Sequence, residues 1–102
     1  MYRVSLNFKA LFLILFSMPL ILLSAYLDYH HVFHYHNLAG LGVYRGIPDL
    51  TAIHQGVVYQ IEVKAGKGKQ SENQKKFQKE WEDSGGIYIC GDLDEVMNKI
   101  KL

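Results

Sequence analysis

At 102 residues the chain has room for one small domain. Its 49% hydrophobic content is that of an ordinary globular protein, and a formal net charge of +1 excludes any argument about partners from overall charge. The one cysteine, Cys90, excludes an intrachain disulfide and fits a reducing compartment.

The first 27 residues stand apart in composition. Arg3 and Lys9 precede ALFLILFSMPLILLSAYL, with no charge from Ala10 to Leu27. That run reaches the lower limit for a membrane-spanning helix, about 18 residues. The layout also fits a signal segment, with a basic start, an apolar stretch and the small residues Ser24 and Ala25. Pro19 kinks a helix at its position. The run is apolar all round, without the polar stripe of a half-buried helix. The expectation is therefore a hydrophobic helix over residues 1–27, a membrane or signal segment, followed by a domain over 28–102. A buried core helix is the competing reading.

Residues 28–39, DYHHVFHYHNLA, hold four of the five histidines. Zinc is one reading of His30, His31, His34 and His36, but no cysteine or paired acid completes a tetrahedral set. Aromatic and β-branched neighbours predict an ordinary strand with its histidines on the polar side. His36 and Asn37 could touch nucleic acid, with a structural role the plainer expectation. Gly40, Gly42 and Gly46 mark the loop that follows, and Arg45 in it is a candidate phosphate contact.

The stretch 46–64, GIPDLTAIHQGVVYQIEVK, predicts two strands joined by Gln55-Gly56, since glycine tolerates the positive φ of a two-residue hairpin turn. Counting outward from the turn pairs His54 with Val57, Ala52 with Tyr59, Leu50 with Ile61 and Asp49 with Glu62. Leu50, Ala52, Val57, Tyr59, Ile61 and Val63 then share one face, and Asp49, Thr51, Gln60, Glu62 and Lys64 the other. Directly opposed Cβ atoms lie roughly 4.5–5.5 Å apart. Two carboxylates that close repel, so one takes a proton or the pair holds a cation. Oxygen donors suit a hard ion such as Mg²⁺, and Lys64 lies on the same face. Carboxylates, metal and lysine together can hydrolyse a phosphodiester. The competing reading is the solvated face of an amphipathic hairpin.

From Lys64 to Lys79 there are six lysines against one acid, Glu72. Such a run is either a solvated face or a footprint for a nucleic-acid backbone, with Lys67, Lys69 and Lys75 as contacts. Ser71 and Gln74 form a helix-capping pattern. Gln74, Phe77 and Trp81 fall on one helical stripe, the two aromatics as core residues. Gln74 serves either as cap alone or as a side chain reaching the carboxylate site. Gly85-Gly86 ends the helix, Ile87 to Cys90 reads as a short buried strand, and Asp92 with Glu95 opens a last helix with Leu93, Val96, Met97 and Ile100 as its apolar stripe.

The order helix, strand, hairpin, helix, strand, helix predicts an α/β (α+β mixed) domain, a small mixed sheet flanked by helices. The string YRGIPDL…IEVKAGKGKQSENQKKF…GGIYIC…LDEV resembles the VRR-NUC family of the PD-(D/E)XK nuclease superfamily, from about His34 to the C-terminus. The resemblance implies a restriction-endonuclease-like core and a Mg²⁺- or Mn²⁺-dependent endonuclease acting on branched or junction DNA in replication or repair. It implies Asp49, Glu62 and the Val63 carbonyl as metal ligands, Lys64 as the catalytic lysine and Gln74 as a supporting residue. It also implies a leading helix bearing a metal-binding glutamate, whereas no acid precedes Asp28 here. A homodimer and a cytoplasmic location accompany this reading, with membrane anchoring through residues 10–27 as the variant. The alternatives are a non-catalytic DNA-binding module on the same scaffold and a membrane-anchored protein with a nuclease-like tail.

Overall fold

The computed structural model describes residues 7–66 and 68–102. The elements are α1 (Phe8–Tyr29), β1 (Phe33–His36), β2 (Leu50–His54), β3 (Val57–Val63), α2 (Glu72–Asp83), β4 (Ile87–Gly91) and α3 (Leu93–Lys99). The strands form one mixed sheet in the order β1-β2-β3-β4. The first three pair antiparallel, and β3 pairs with β4 in parallel across the α2 crossover. This is the expected α+β class, a small mixed sheet flanked by helices.

The hairpin register follows from its turn. Gln55 and Gly56 take φ of 49° and 80°, the two positive values of a type I′ turn, whose twist matches that of the flanking strands. Pairing runs from His54↔Val57 through Ala52↔Tyr59 to Leu50↔Ile61, as counting from the turn predicts. Strand β2 begins at Leu50, so Ile47, Pro48 and Asp49 form an irregular lead-in.

One sheet face carries the core. Leu50, Ala52, Tyr59, Ile61 and Ile89 pack with Leu23 and Leu27 of α1, with Val96 of α3, and with Val32 and Ile100. Helix α1 runs on to Tyr29, and Leu23 and Leu27 in its last turns belong to the same core. Residues 1–6 of the expected N-terminal segment lie outside the described residues. Among the described residues no helix is long and apolar enough to cross a membrane.

Two local expectations are corrected. Tyr29 ends α1 and His31 turns the chain at φ 56°, so the strand shortens to Phe33–His36. His34 and His36 pair with Ala52 and Leu50, which puts the histidines on the core side and not on the polar side. The side chain of His34 fits there because α1 supplies a partner. Its Nε2 lies 2.9 Å from Ser24 Oγ, and its Nδ1 lies 2.9 Å from the Val32 carbonyl. The second correction concerns α2, which buries no residue fully. Phe77 and Trp81 are half-buried and stack on each other, and Phe77 also meets Tyr44 and Tyr88. Both ends of α2 follow the sequence: Ser71 and Gln74 make a reciprocal capping box, and the Gly86 and Gly85 amides bond back to Trp81 and Glu82. Helix α3 has its own capping box between Asp92 and Glu95.

Candidate functional site

On its second face the middle of the sheet is polar, yet it is not solvated. Thr51, Gln60 and Glu62 are buried on it. Gln74 of α2 reaches Glu62 and Asn37 ties Gln60 and Thr51, while the loop over residues 38–47 meets α2 where Tyr44 packs on Phe77 and donates its hydroxyl to Glu80. Gly46 fixes how close that loop comes. At φ +79° it lies against the first turn of α2, and a Cβ there would stand 2.3 Å from the backbone of Asn73. Only glycine meets both demands. The approach places the Pro48-Asp49 lead-in beside the start of α2.

Asp49 lies one residue beyond the last ladder pair, where its Oδ2 accepts a 2.8 Å hydrogen bond from the Val63 amide. Glu62 is 7% exposed. Its Oε1 lies 3.4 Å from Lys64 Nζ and accepts a 3.2 Å bond from Gln74 Nε2. Its Oε2 is buried and has no partner. Burial pushes the Glu62 carboxyl up to about 7, and the charge of Asp49 adds to the rise against the pull of Lys64. Burial also raises Asp49, opposed by the Val63 amide and by Lys64.

Gln74 holds both of the roles open to it. Its Oε1 accepts from the Ser71 amide and from Lys64 Nζ, each at 2.9 Å, while its Nε2 donates to Glu62. The helix cap therefore also fixes the lysine and the carboxylate relative to each other. Asp49, Glu62, Lys64 and Gln74 come together as the sequence predicts. Val63 joins them through its amide, the contact the structure displays.

An orphaned, buried carboxylate oxygen beside a second carboxylate suits a small hard cation, and all the donors are oxygens. Asp49 and Glu62 would hold such an ion. Among the described residues no group of three or more His, Cys, Asp or Glu side chains is placed to bind a metal, so the donor set stops at two carboxylates. Helix α1 reaches this end of the sheet, where Ser17, Pro19 and Leu20 line a cavity of about 130 Å³ with Asp49, Val63 and Ala65. It brings no carboxylate there.

The expected backbone contacts divide between two clefts. Lys64, Lys69, Lys75 and Lys99 line a cleft of about 640 Å³ with Gln70, Gln78 and Tyr88. Arg45 lies on the other side of Gln74, in a cleft of about 350 Å³ between its own loop and the start of α2. Lys75 also pairs with Glu72 at 3.2 Å. Lys67 lies outside the described residues.

Sequence reasoning missed a network behind the site. Asn37 Nδ2 donates to Gln60 Oε1 at 3.0 Å, Gln60 Nε2 to Thr51 Oγ1 at 2.8 Å, and Thr51 Oγ1 to Asn37 Oδ1 at 2.9 Å. This closed ring satisfies buried polar groups that would otherwise carry a desolvation penalty. Asn37 also bonds the Pro48 carbonyl through its side chain and the Asp49 carbonyl through its amide. It thereby clamps the backbone that aims Asp49. The register pairing of Thr51 with Gln60 on the site face was the signal that pointed to it; the participation of Asn37 depends on how the loop returns.

No family model matches the chain, and no curated protein or solved structure does either.

Proposed function

We propose that the chain is a metal-dependent nuclease that hydrolyses DNA phosphodiester bonds, with the branched or junction DNA implied by the VRR-NUC resemblance as substrate and the cytoplasm as its location. The observation that carries the reading is the unpartnered Glu62 Oε2, buried against Asp49 and beside Lys64. Burying two carboxylates together destabilises a fold, and a surface meant only to bind an anionic backbone gains nothing from them. Their placement makes sense if a cation completes the site. Mg²⁺ or Mn²⁺ held by Asp49 and Glu62 would supply charge neutralisation on the phosphate and a more acidic water.

The chain's own residues then divide the work. Lys64 is 17% exposed and held by Gln74, so its ammonium sits at a fixed point beside the carboxylates. From there it stabilises charge on the phosphate or moves a proton at the attacking water. Gln74 orients Lys64 and Glu62, Asn37 holds the Asp49 backbone, and the lysines of the adjoining cleft attract the DNA backbone.

Calorimetric titration with Mn²⁺ tests the metal half of the proposal. Wild type should bind one ion per chain, and Asp49→Asn and Glu62→Gln should each lose binding while keeping the wild-type circular dichroism spectrum. Unchanged affinity in either variant would remove that residue from the site.

A further inference from the structure

Phe33 and Tyr35 point away from the core, onto the face that carries Thr51, Gln60 and Glu62. Alternation along β1 and the pairs Phe33↔Ile53 and Tyr35↔Thr51 fix that placement. Both rings are open, Phe33 at 67% and Tyr35 at 50% exposure, and Ile53 beside them is 40% exposed. Their centroids lie 6.1 Å apart. Tyr35 is two strands across and two residues along from Glu62, roughly 12 Å by strand spacing and rise. Large exposed aromatics on a strand beside a polar site call for an occupant.

Charge decides which one. The cleft on the other side of the carboxylates gathers Lys64, Lys69, Lys75 and Lys99 against Asp92 and Glu95, so lysines outnumber acids there. No lysine or arginine occurs from residue 10 to residue 44. One flank of the site therefore attracts phosphates, and β1 on the other presents rings with no lysine or arginine of its own. A duplex hides its base faces and shows phosphates on both strands, so it has nothing to offer the aromatic flank. An unpaired strand has free base faces, and every base can stack on an aromatic side chain.

We infer that Phe33 and Tyr35 form a stacking platform for unpaired nucleobases of the strand that enters the carboxylate site. The inference rests on the nuclease reading and adds to it a binding subsite on β1. The strand's bases lie on the β1 edge, its backbone crosses Asp49 and Glu62, and it leaves along the lysine cleft.

The test uses the full chain in EDTA, so that binding is read without cleavage. A single-stranded oligonucleotide carrying one 2-aminopurine is titrated, alongside a plain duplex of the same sequence. Stacking should quench the probe on binding. Phe33→Leu with Tyr35→Leu should abolish the quench and weaken single-strand binding by about tenfold or more, with duplex affinity changed less than twofold. Phe33→Trp with Tyr35→Trp should restore both. Quench and affinity retained in the leucine variant would overturn the platform, as would equal losses for single strand and duplex. A shift from dimer to monomer in the leucine variant, read by light scattering, would overturn it in favour of contact between two copies. If wild type binds neither DNA in EDTA and neither binds nor cuts either one in Mn²⁺, the nuclease reading itself fails, an outcome distinct from loss of the platform alone.

Discussion

Glu62→Gln should stabilise the metal-free protein at alkaline pH, although it removes a residue of the proposed site. The Glu62 carboxyl titrates near 7 in the folded chain against an ordinary value of 4.5, a difference of 7 − 4.5 = 2.5 units. The folded state holds this proton more tightly than the unfolded state. The resulting stability is complete below about pH 4.5 and is lost as pH rises through 7. At about 1.4 kcal/mol per unit the loss is about 3 kcal/mol by pH 8. Glutamine carries no such charge, and the pull of Lys64 at 3.4 Å calls for no further deduction, because it is already contained in the net rise of the Glu62 carboxyl. The variant should therefore be about 3 kcal/mol more stable than wild type at pH 8 and no more stable at pH 4.5. Urea denaturation in EDTA at the two pH values reads the difference, and other titrating groups largely cancel between the two proteins. Saturating Mn²⁺ should reverse the order, since an ion at about 1,000 times its dissociation constant adds about 4.1 kcal/mol to the protein that binds it. A variant less stable than wild type at both pH values would refute the reasoning and make Glu62 an ordinary ion-pair partner.

Three further outcomes follow from the geometry. Gln74→Ala removes half of the capping box together with the hold on Lys64 and Glu62, so thermal unfolding should show a loss of about 1 kcal/mol and single-turnover cleavage should slow at least tenfold. Gly46→Ala sets a Cβ 2.3 Å from the Asn73 backbone at φ +79°, and should destabilise by about 2 kcal/mol or more; a wild-type melting curve would contradict the close packing of the loop on α2. Lys69→Gln with Lys75→Gln should flatten the salt dependence of DNA binding by about 0.9 in log K against log salt for each phosphate left without its lysine, and an unchanged slope would mark this flank as solvated surface.

The hairpin register was legible because it is local. A Gln-Gly turn and strict alternation leave one pairing that puts every apolar residue on one side. The caps of α2 and α3 were legible for the same reason, since each is a four-residue pattern. What the sequence hid depends on packing between distant segments. Uniform apolarity in residues 10–27 looks the same whether lipid or protein surrounds it, and the burial of Leu23 and Leu27 is decided by where α1 crosses the sheet. The sidedness of His34 is set by the β1–β2 register, and its partner there is a serine ten residues earlier, on α1. At the site, counting from the turn brought Asp49 and Glu62 together. The burial that strains them depends on how helices from both ends of the sequence meet the sheet there: Gln74 of α2 reaches Glu62, and Ser17, Pro19 and Leu20 of α1 line a cavity with Asp49.

The most direct test of the central claim is single-turnover cleavage of branched and linear DNA by the full chain and by Lys64→Met, with the protein at saturating concentration in Mg²⁺, Mn²⁺ or EDTA. Methionine keeps most of the lysine stem and removes the charge that sits 3.4 Å from Glu62. Wild type should cut in either metal and not in EDTA. The variant should bind DNA with little change in affinity yet cut about 10²-fold more slowly once saturated, the effect of losing an acid–base or electrostatic group from a transition state. A wild-type protein that leaves every substrate intact, or a saturated variant that cuts at the wild-type rate, would contradict the account.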